Sequence, residues 1–215
     1  VTQLKLNQKI MAFIILSIIG TILIYPSLPG RIPQHWNIDG QADGFGGKGY
    51  LFITAVLPLG IYLMMVFLPK LDPKKDSYLN HAKAYQVTHW ALTLFLICLH
   101  WITIGVASGY PLNVGIFIRI LLGILFIILG NYLTQVRPNY FFGIKTPWTL
   151  ANEEVWRKTH RVGGYGFVIA GLLDLVSAFF KGSAAFILTI GSICAVTVFA
   201  VIYSYLEYRK LELPK

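Results

Sequence analysis

Six runs of almost uninterrupted apolar residues divide this chain, at roughly 10–28, 51–68, 87–108, 114–133, 162–180 and 184–206. Each approaches the roughly 20 residues a helix needs to cross a bilayer. Pro58 interrupts the second run, and His89 and His100 interrupt the third. The pattern predicts an all-α polytopic membrane protein with six transmembrane helices. Polar positions collect into short connectors and two longer segments, 29–50 and 134–161. The expected organisation is therefore a two-span region, 1–86, around an outer loop 29–50, and a four-span region, 87–215, around a cytoplasmic loop 134–161. Residues 69–86 read as a plain solvated connector, partly helical. The first run follows Lys5 and Lys9 as a signal peptide would. Its apolar core is long, however, and YPSLPG offers no small-x-small cleavage site, so it reads as an anchor.

Composition sharpens this picture. The chain is 56% hydrophobic and only 13% charged, well below the roughly 25% charged residues of globular domains. With the N-terminus inside, the cytoplasm receives Lys5, Lys9, Lys70, Lys74, Lys75, Lys83, Arg137, Lys145, Arg157, Lys158, Arg161, Arg209, Lys210 and Lys215. Only Arg31, Lys48 and Lys181 fall outside, a bias that places both termini in the cytoplasm. The net charge of +9 is explained by this asymmetry, so no nucleic-acid partner is expected. Cys98 and Cys194 both fall inside spans, which leaves no disulfide framework or zinc spacing. No internal repeat of the transporter kind is evident.

The segment NYFFGIKTPWTLANEEVWRKTHRVGGYG, 139–166, is the richest polar stretch. Pro138 and Pro147 disfavour helix at the residues before them, so 137–148 should be extended or turned. Gly143 can supply a backbone angle other residues resist. Asn152 is placed to cap a helix whose first turn carries Glu153 and Glu154. Glu153–Arg157 and Glu154–Lys158 are i,i+4 pairs in the favourable order. Trp156 and His160 share a face of that helix, which runs into the fifth span at Val162, and Trp148 and Trp156 are expected at the membrane surface.

The outer segment IPQHWNIDGQADGFGGKGY has different chemistry. Asp39-Gly40 and Asp43-Gly44 are turn pairs, and five glycines within 40–49 argue against helix. Asp39, Gln41, Asp43 and Gly44 match the first half of a calcium loop, but Tyr50 stands where its bidentate Glu belongs. His35 near Asp39 and Asp43 is a second candidate ligand set. The favoured reading is a compact, turn-rich cap without metal or cofactor, with Trp36 on the bilayer surface.

Three polar side chains interrupt the spans. Arg119, Asp174 and His100 reach similar depths in the outer leaflet from three different helices; Asp174 lies roughly 10 Å and His100 roughly 12 Å below the outer surface. Pairing Arg119 with Asp174 would offset the roughly 2.5–3.5 kcal/mol that a charge costs at mid-membrane. The competing reading is that Arg119 snorkels and Asp174 reaches Lys181 along its own helix. His89 and His100, 11 residues apart, fall on nearly one helical face, and two satisfied histidines between helices are favoured over a shared polar seam.

Two stretches carry a resemblance. GIKTPWTL followed by EEVWRKTHR resembles the signature of the SdpI family of bacterial membrane proteins, and LPGRIPQHWNIDGQADGFGGK resembles an N-terminal domain of unknown function often fused to it. On this resemblance the cytoplasmic motif residues are Asn139, Gly143, Lys145, Thr146, Pro147, Trp148, Thr149, Leu150, Trp156, His160 and Arg161. The outer recognition residues are Pro33, His35, Trp36, Asn37, Asp39 and Gly40. The resemblance implies immunity to a secreted, membrane-active peptide toxin and, in the best-known branch, capture of a cytoplasmic transcriptional repressor. It also implies residence in a cell membrane, Gram-positive by preference. Lys145 stands where the family usually has Arg, and Lys lacks the planar fork that grips an anion bidentately. A small transporter or channel built on His100, Arg119 and Asp174 is the alternative. An enzyme is not expected, because no HExxH, GxSxG or paired-carboxylate site lies within a span.

Overall fold

The computed structural model describes residues 6–212. Lys5 and Lys215, counted among the inward charges, lie outside the described residues. The elements run α1 (Gln8–Ile24), β1 (Arg31–Trp36), β2 (Ala42–Gly47), α2 (Tyr50–Leu71), α3 (Ala82–Ala107), α4 (Val114–Leu133), α5 (Pro147–Ala151), α6 (Glu153–Ser177) and α7 (Gly182–Glu212). Short 3-10 segments cover Tyr25–Ser27 and Lys75–His81. The protein is an all-α polytopic membrane protein, and five of its described helical stretches are long and apolar enough to cross a bilayer. The residues of the expected fifth span fall mostly within α6, a 25-residue helix that is not among those five. It differs from the others in composition because its first three turns carry Glu153, Glu154, Arg157, Lys158 and Arg161.

The helices present Leu16, Leu23, Ile53, Leu71 and Ile187 outward, the arrangement expected where hydrocarbon is the solvent. Inside, α4 and α6 run antiparallel in very close contact. A methyl group on Gly123 would strike the Gly171 carbonyl, and one on Gly130 would strike the Gly164 carbonyl. Such backbone-to-backbone approach needs small residues, which replace the missing hydrophobic drive between helices in lipid with van der Waals contact. The first three helices instead pack through side chains, with Ile10, Ile14, Tyr62 and Val66 forming one buried cluster.

The turn-rich cap is a two-stranded antiparallel hairpin. Arg31 pairs with Gly47, Pro33 with Phe45 and Trp36 with Ala42, and the register is irregular on both sides of His35. The hairpin is not legible in the sequence, because β2 (ADGFGG) has almost no β-branched or alternating apolar positions. Its side of the ladder is held by backbone bonds and by the small size of glycine. Leu28, Ile32, Leu51, Ile104 and Ala107 form the buried cluster beneath it. Lys48 closes the structure by donating to the carbonyls of Tyr25 (3.1 Å) and Leu28 (3.0 Å), just beyond the C-terminal end of α1.

Candidate functional site

The hairpin and the GIKTPWTL segment lie at opposite ends of the bundle. Gly40 packs against Gly115 at the start of α4, whereas residues 139–151 follow the end of that 20-residue helix, about 30 Å away along its axis.

The GIKTPWTL end is built around Asn139, which is fully buried. Its Oδ1 accepts from the Phe142 amide (2.6 Å), the Phe141 amide (3.0 Å) and the Tyr78 hydroxyl (3.0 Å). Its Nδ2 donates to the carbonyls of Arg137 and Phe142, both at 2.9 Å. One side chain therefore closes the turn and ties it to residues 72–81. From that stretch, Asp72 accepts from the Tyr78 hydroxyl and the Tyr140 amide, both at 2.9 Å, and His81 Nδ1 accepts from the Arg137 amide (3.2 Å). Asp72, Tyr78 and His81 are each nearly fully buried. The 69–86 segment is thus not a plain solvated connector; Asp72, Tyr78 and His81 are structural partners of the motif, while Lys75, Asp76, Asn80 and Lys83 stay exposed. Sequence reading missed them because a polar run between spans looks the same whether it faces water or a neighbouring loop.

Gly143 adopts φ +109°, and a methyl group there would collide with His160 Nε2. This position needs glycine for both backbone angle and space. His160 accepts from the Ile144 amide through Nε2 (3.0 Å), pairs through Nδ1 with the Trp156 carbonyl (2.9 Å), and stacks on the Trp156 ring at 4.0 Å. These partners fit the neutral ring with its proton on Nδ1. Burial accordingly pushes His160 down to about 4, since a second proton would lose the Ile144 bond and be poorly solvated. The shared face of Trp156 and His160 is as expected. Trp156 is packed within the protein rather than presented to the bilayer: it is fully buried and donates to the Val136 carbonyl (2.9 Å).

Thr146 and Thr149 form a reciprocal cap on α5, with Pro147 in its first turn. The Thr146 hydroxyl also donates to Ser204 on α7 (3.0 Å), and Trp148 lies against Tyr205 at 5.1 Å between rings. Leu150 packs beside Leu133, Val136 and Trp156. Asn152 caps α6 through the amides of Glu154 and Val155, and Glu154 pairs with Lys158 (3.0 Å). Lys158 also meets Glu207 of α7 (3.0 Å). Lys145 and Arg161 stay exposed, and Lys145 folds back onto the Phe141 carbonyl (3.1 Å). The motif residues thus come together as a brace linking the 72–81 turn, α6 and α7.

At the other end, Asn37 organises the hairpin loop, its Oδ1 accepting from the amides of Asp39 and Gln41, both at 3.0 Å. His35 pairs with Asp43 at 2.5 Å, with both side chains exposed. Asp39 is not part of that pair, and among the described residues no group of three His, Cys, Asp or Glu is placed to hold a metal. Pro33 is buried in β1. Trp36 is half-buried and lines a partly open cavity of about 200 Å³ with Thr54 and His100.

The polar residues within the spans separate. Arg119 donates to the carbonyls of Ile38 (3.1 Å) and Phe180 (3.4 Å). Asp174 turns to α7, where it accepts from Ser192 (3.2 Å). His100 sits between Thr21 and Thr54, each at 2.8 Å. Equal depth does not bring them together, because each helix directs its polar side chain to a different neighbour. The Arg119–Asp174–His100 cluster does not form.

Comparison with known proteins agrees with this division into two ends. Residues 135–204 match the SdpI/YfhL protein family, and residues 12–59 match a domain of unknown function, DUF1648. Immunity protein SdpI from Bacillus subtilis (strain 168) is 29% identical over 97% of this chain and 99% of its own length. No solved structure matches. Similar to that protein along almost its whole length, and carrying the SdpI/YfhL family match over residues 135–204, the chain is a multi-pass cell-membrane protein.

Proposed function

We propose that this protein is an integral membrane immunity protein that protects its cell from a secreted, membrane-active peptide, by binding the peptide or shielding its target rather than by turnover. The observation that carries this reading is the near-full-length similarity to Immunity protein SdpI, which includes both ends of the bundle. In this reading six helices cross the membrane with both termini in the cytoplasm. The hairpin then faces outward and offers His35 and its neighbours to the peptide, while the brace faces inward. Tyr140, Phe141 and Lys145 are exposed beside the buried Asn139, which supports docking of a cytoplasmic repressor on a rigid loop.

Expression in a toxin-sensitive Gram-positive host lacking its own immunity gene tests the reading. Wild-type protein should permit growth against at least one secreted peptide toxin. Protection should be lost in His35→Ala while membrane levels stay normal, and Lys145→Ala should leave protection intact. No protection against any of a broad toxin panel, with the protein present in the membrane, would overturn the immunity reading. A repressor pulled down by wild type and not by a Tyr140→Ala/Phe141→Ala variant would support the signalling part; equal recovery with both would sink it.

A further inference from the structure

A cavity of about 260 Å³ opens at the hairpin end, where three parts of the chain converge. The hairpin loop contributes Asp39, the start of α4 contributes Asn113 and Arg119, and the turn between α6 and α7 contributes Phe179, Phe180 and Lys181. Arg119 is only 7% exposed. Its hydrogen bonds to Ile38 and Phe180 go to neutral carbonyls, and among the described residues it has no carboxylate within ion-pair distance. A guanidinium is a cation whose planar donor fork matches an anionic partner. Withdrawing a charge from water without a counter-ion is costly, so the cavity is built to gain from an incoming anion.

Two further features define which anion. The cavity lies at the positive end of the 20-residue α4 helix, which adds to the attraction for a negative group. Asp39 opposes it, but Arg119 and Lys181 together outweigh that single carboxylate, so the lining stays net positive. Phe179 and Phe180 stand beside the opening, and Phe179 is 89% exposed. An apolar rim around a basic cavity at the end of a membrane bundle matches a molecule with an anionic head and hydrocarbon tails. We infer that this cavity seats the phosphate of an anionic phospholipid headgroup, with Arg119 and Lys181 on the phosphate and Phe179 along the acyl chain. Arg suits this role because its planar donor fork reads phosphate geometry.

This inference goes beyond immunity and stands or falls separately from it. The test uses the purified full chain in non-ionic detergent, with native mass spectrometry and thermal unfolding as readouts. Phosphatidylglycerol, phosphatidylcholine and inorganic phosphate are added in parallel. Phosphatidylglycerol should bind and raise the unfolding temperature, and phosphatidylcholine should do so much less. Lys181→Gln, outside the helices, should weaken phosphatidylglycerol binding about tenfold, the effect of losing one charge-assisted bond. Arg119→Gln should weaken it more, provided the variant still unfolds cooperatively. Equal binding of phosphatidylglycerol by wild type and Lys181→Gln would overturn the assignment. So would inorganic phosphate protecting as well as the lipid, or a short peptide with a free carboxyl terminus binding where the lipid does not.

Discussion

The two ends of this bundle begin from similar sequence, short stretches rich in Gly, Pro, Asn and aromatic residues, and build opposite kinds of surface. At the hairpin end Pro33 and Gly40 are buried, but the His35–Asp43 pair is open to solvent. At the GIKTPWTL end they face inward, and Asn139, Thr149, Trp156 and His160 are all but fully buried. Substituting a polar motif residue is therefore costly at the GIKTPWTL end and mild at the hairpin. Buried polar groups lose heavily when a partner goes missing, whereas exposed ones exchange a partner for water. The brace is a structural device first, and the hairpin is free to be a recognition device.

The most severe break in that comparison should come from Asn139→Ala. Five hydrogen bonds converge on this residue, and its removal leaves two backbone amides and two carbonyls without their partner in a partly buried site. A loss of roughly 3 kcal/mol or more is expected. In detergent, the thermal midpoint should fall by many degrees or the protein should fail to accumulate in the membrane. A midpoint indistinguishable from wild type would show that the brace does not hold the fold.

Gly143→Ala follows. Alanine must adopt φ +109° and displace His160 at the same time. A cost of about 2–3 kcal/mol is expected from strain and steric overlap together. Shortening the neighbour tests the cause: in a His160→Ala background the additional penalty of Gly143→Ala should shrink to the backbone strain alone. An unchanged penalty would remove His160 from the explanation.

How much of this is legible in the sequence differs between the ends for a physical reason. Helix positions and the Asn152 cap follow from local patterns of apolar spacing and side-chain oxygen placement, and both are readable. The Trp156–His160 stack is an i,i+4 relation and is equally visible. Pairing across the bundle is not. Nothing local says that Tyr78 and Asp72 will close the Asn139 turn, or that Thr146 will find Ser204 58 positions later. The same gap undoes the Arg119–Asp174 pair: depth along a helix follows from counting residues, but the direction of a side chain around the helix depends on which neighbour packs there. The hairpin escapes for a different reason, since glycine-rich β2 carries no alternation to read.

The buried histidine supplies a pH test of the brace. His160 is held near 4 against an ordinary value of 6.5, so the unfolded chain binds more protons than the native one between those values. Stability is then fully present above about pH 6.5 and declines as the pH falls towards 4. Between pH 7 and pH 5 the contribution of His160 is about 1–2 kcal/mol. Thermal midpoints of wild type should drop across that interval. His160→Gln, which lowers stability at pH 7 through its lost contacts, should show a shallower drop. Parallel pH profiles for the two proteins would mean that His160 does not titrate as its surroundings require.

The smallest stability effect belongs to the other end, and it is the sharpest test of the comparison. His35→Ala removes one member of an exposed ion pair, and exposed pairs contribute no more than about 1 kcal/mol, often nothing measurable. The thermal midpoint should therefore stay close to that of wild type. If the hairpin is the recognition surface, the same substitution should lower protection against the matching peptide far more than that small change in stability can explain. Asp43→Asn separates charge from contact, because it can still hydrogen-bond His35 while losing the carboxylate. Retained protection in Asp43→Asn with lost protection in His35→Ala would assign recognition to the imidazole. Loss of stability in proportion to loss of protection, in both variants, would return the hairpin to a structural role and erase the distinction between the two ends.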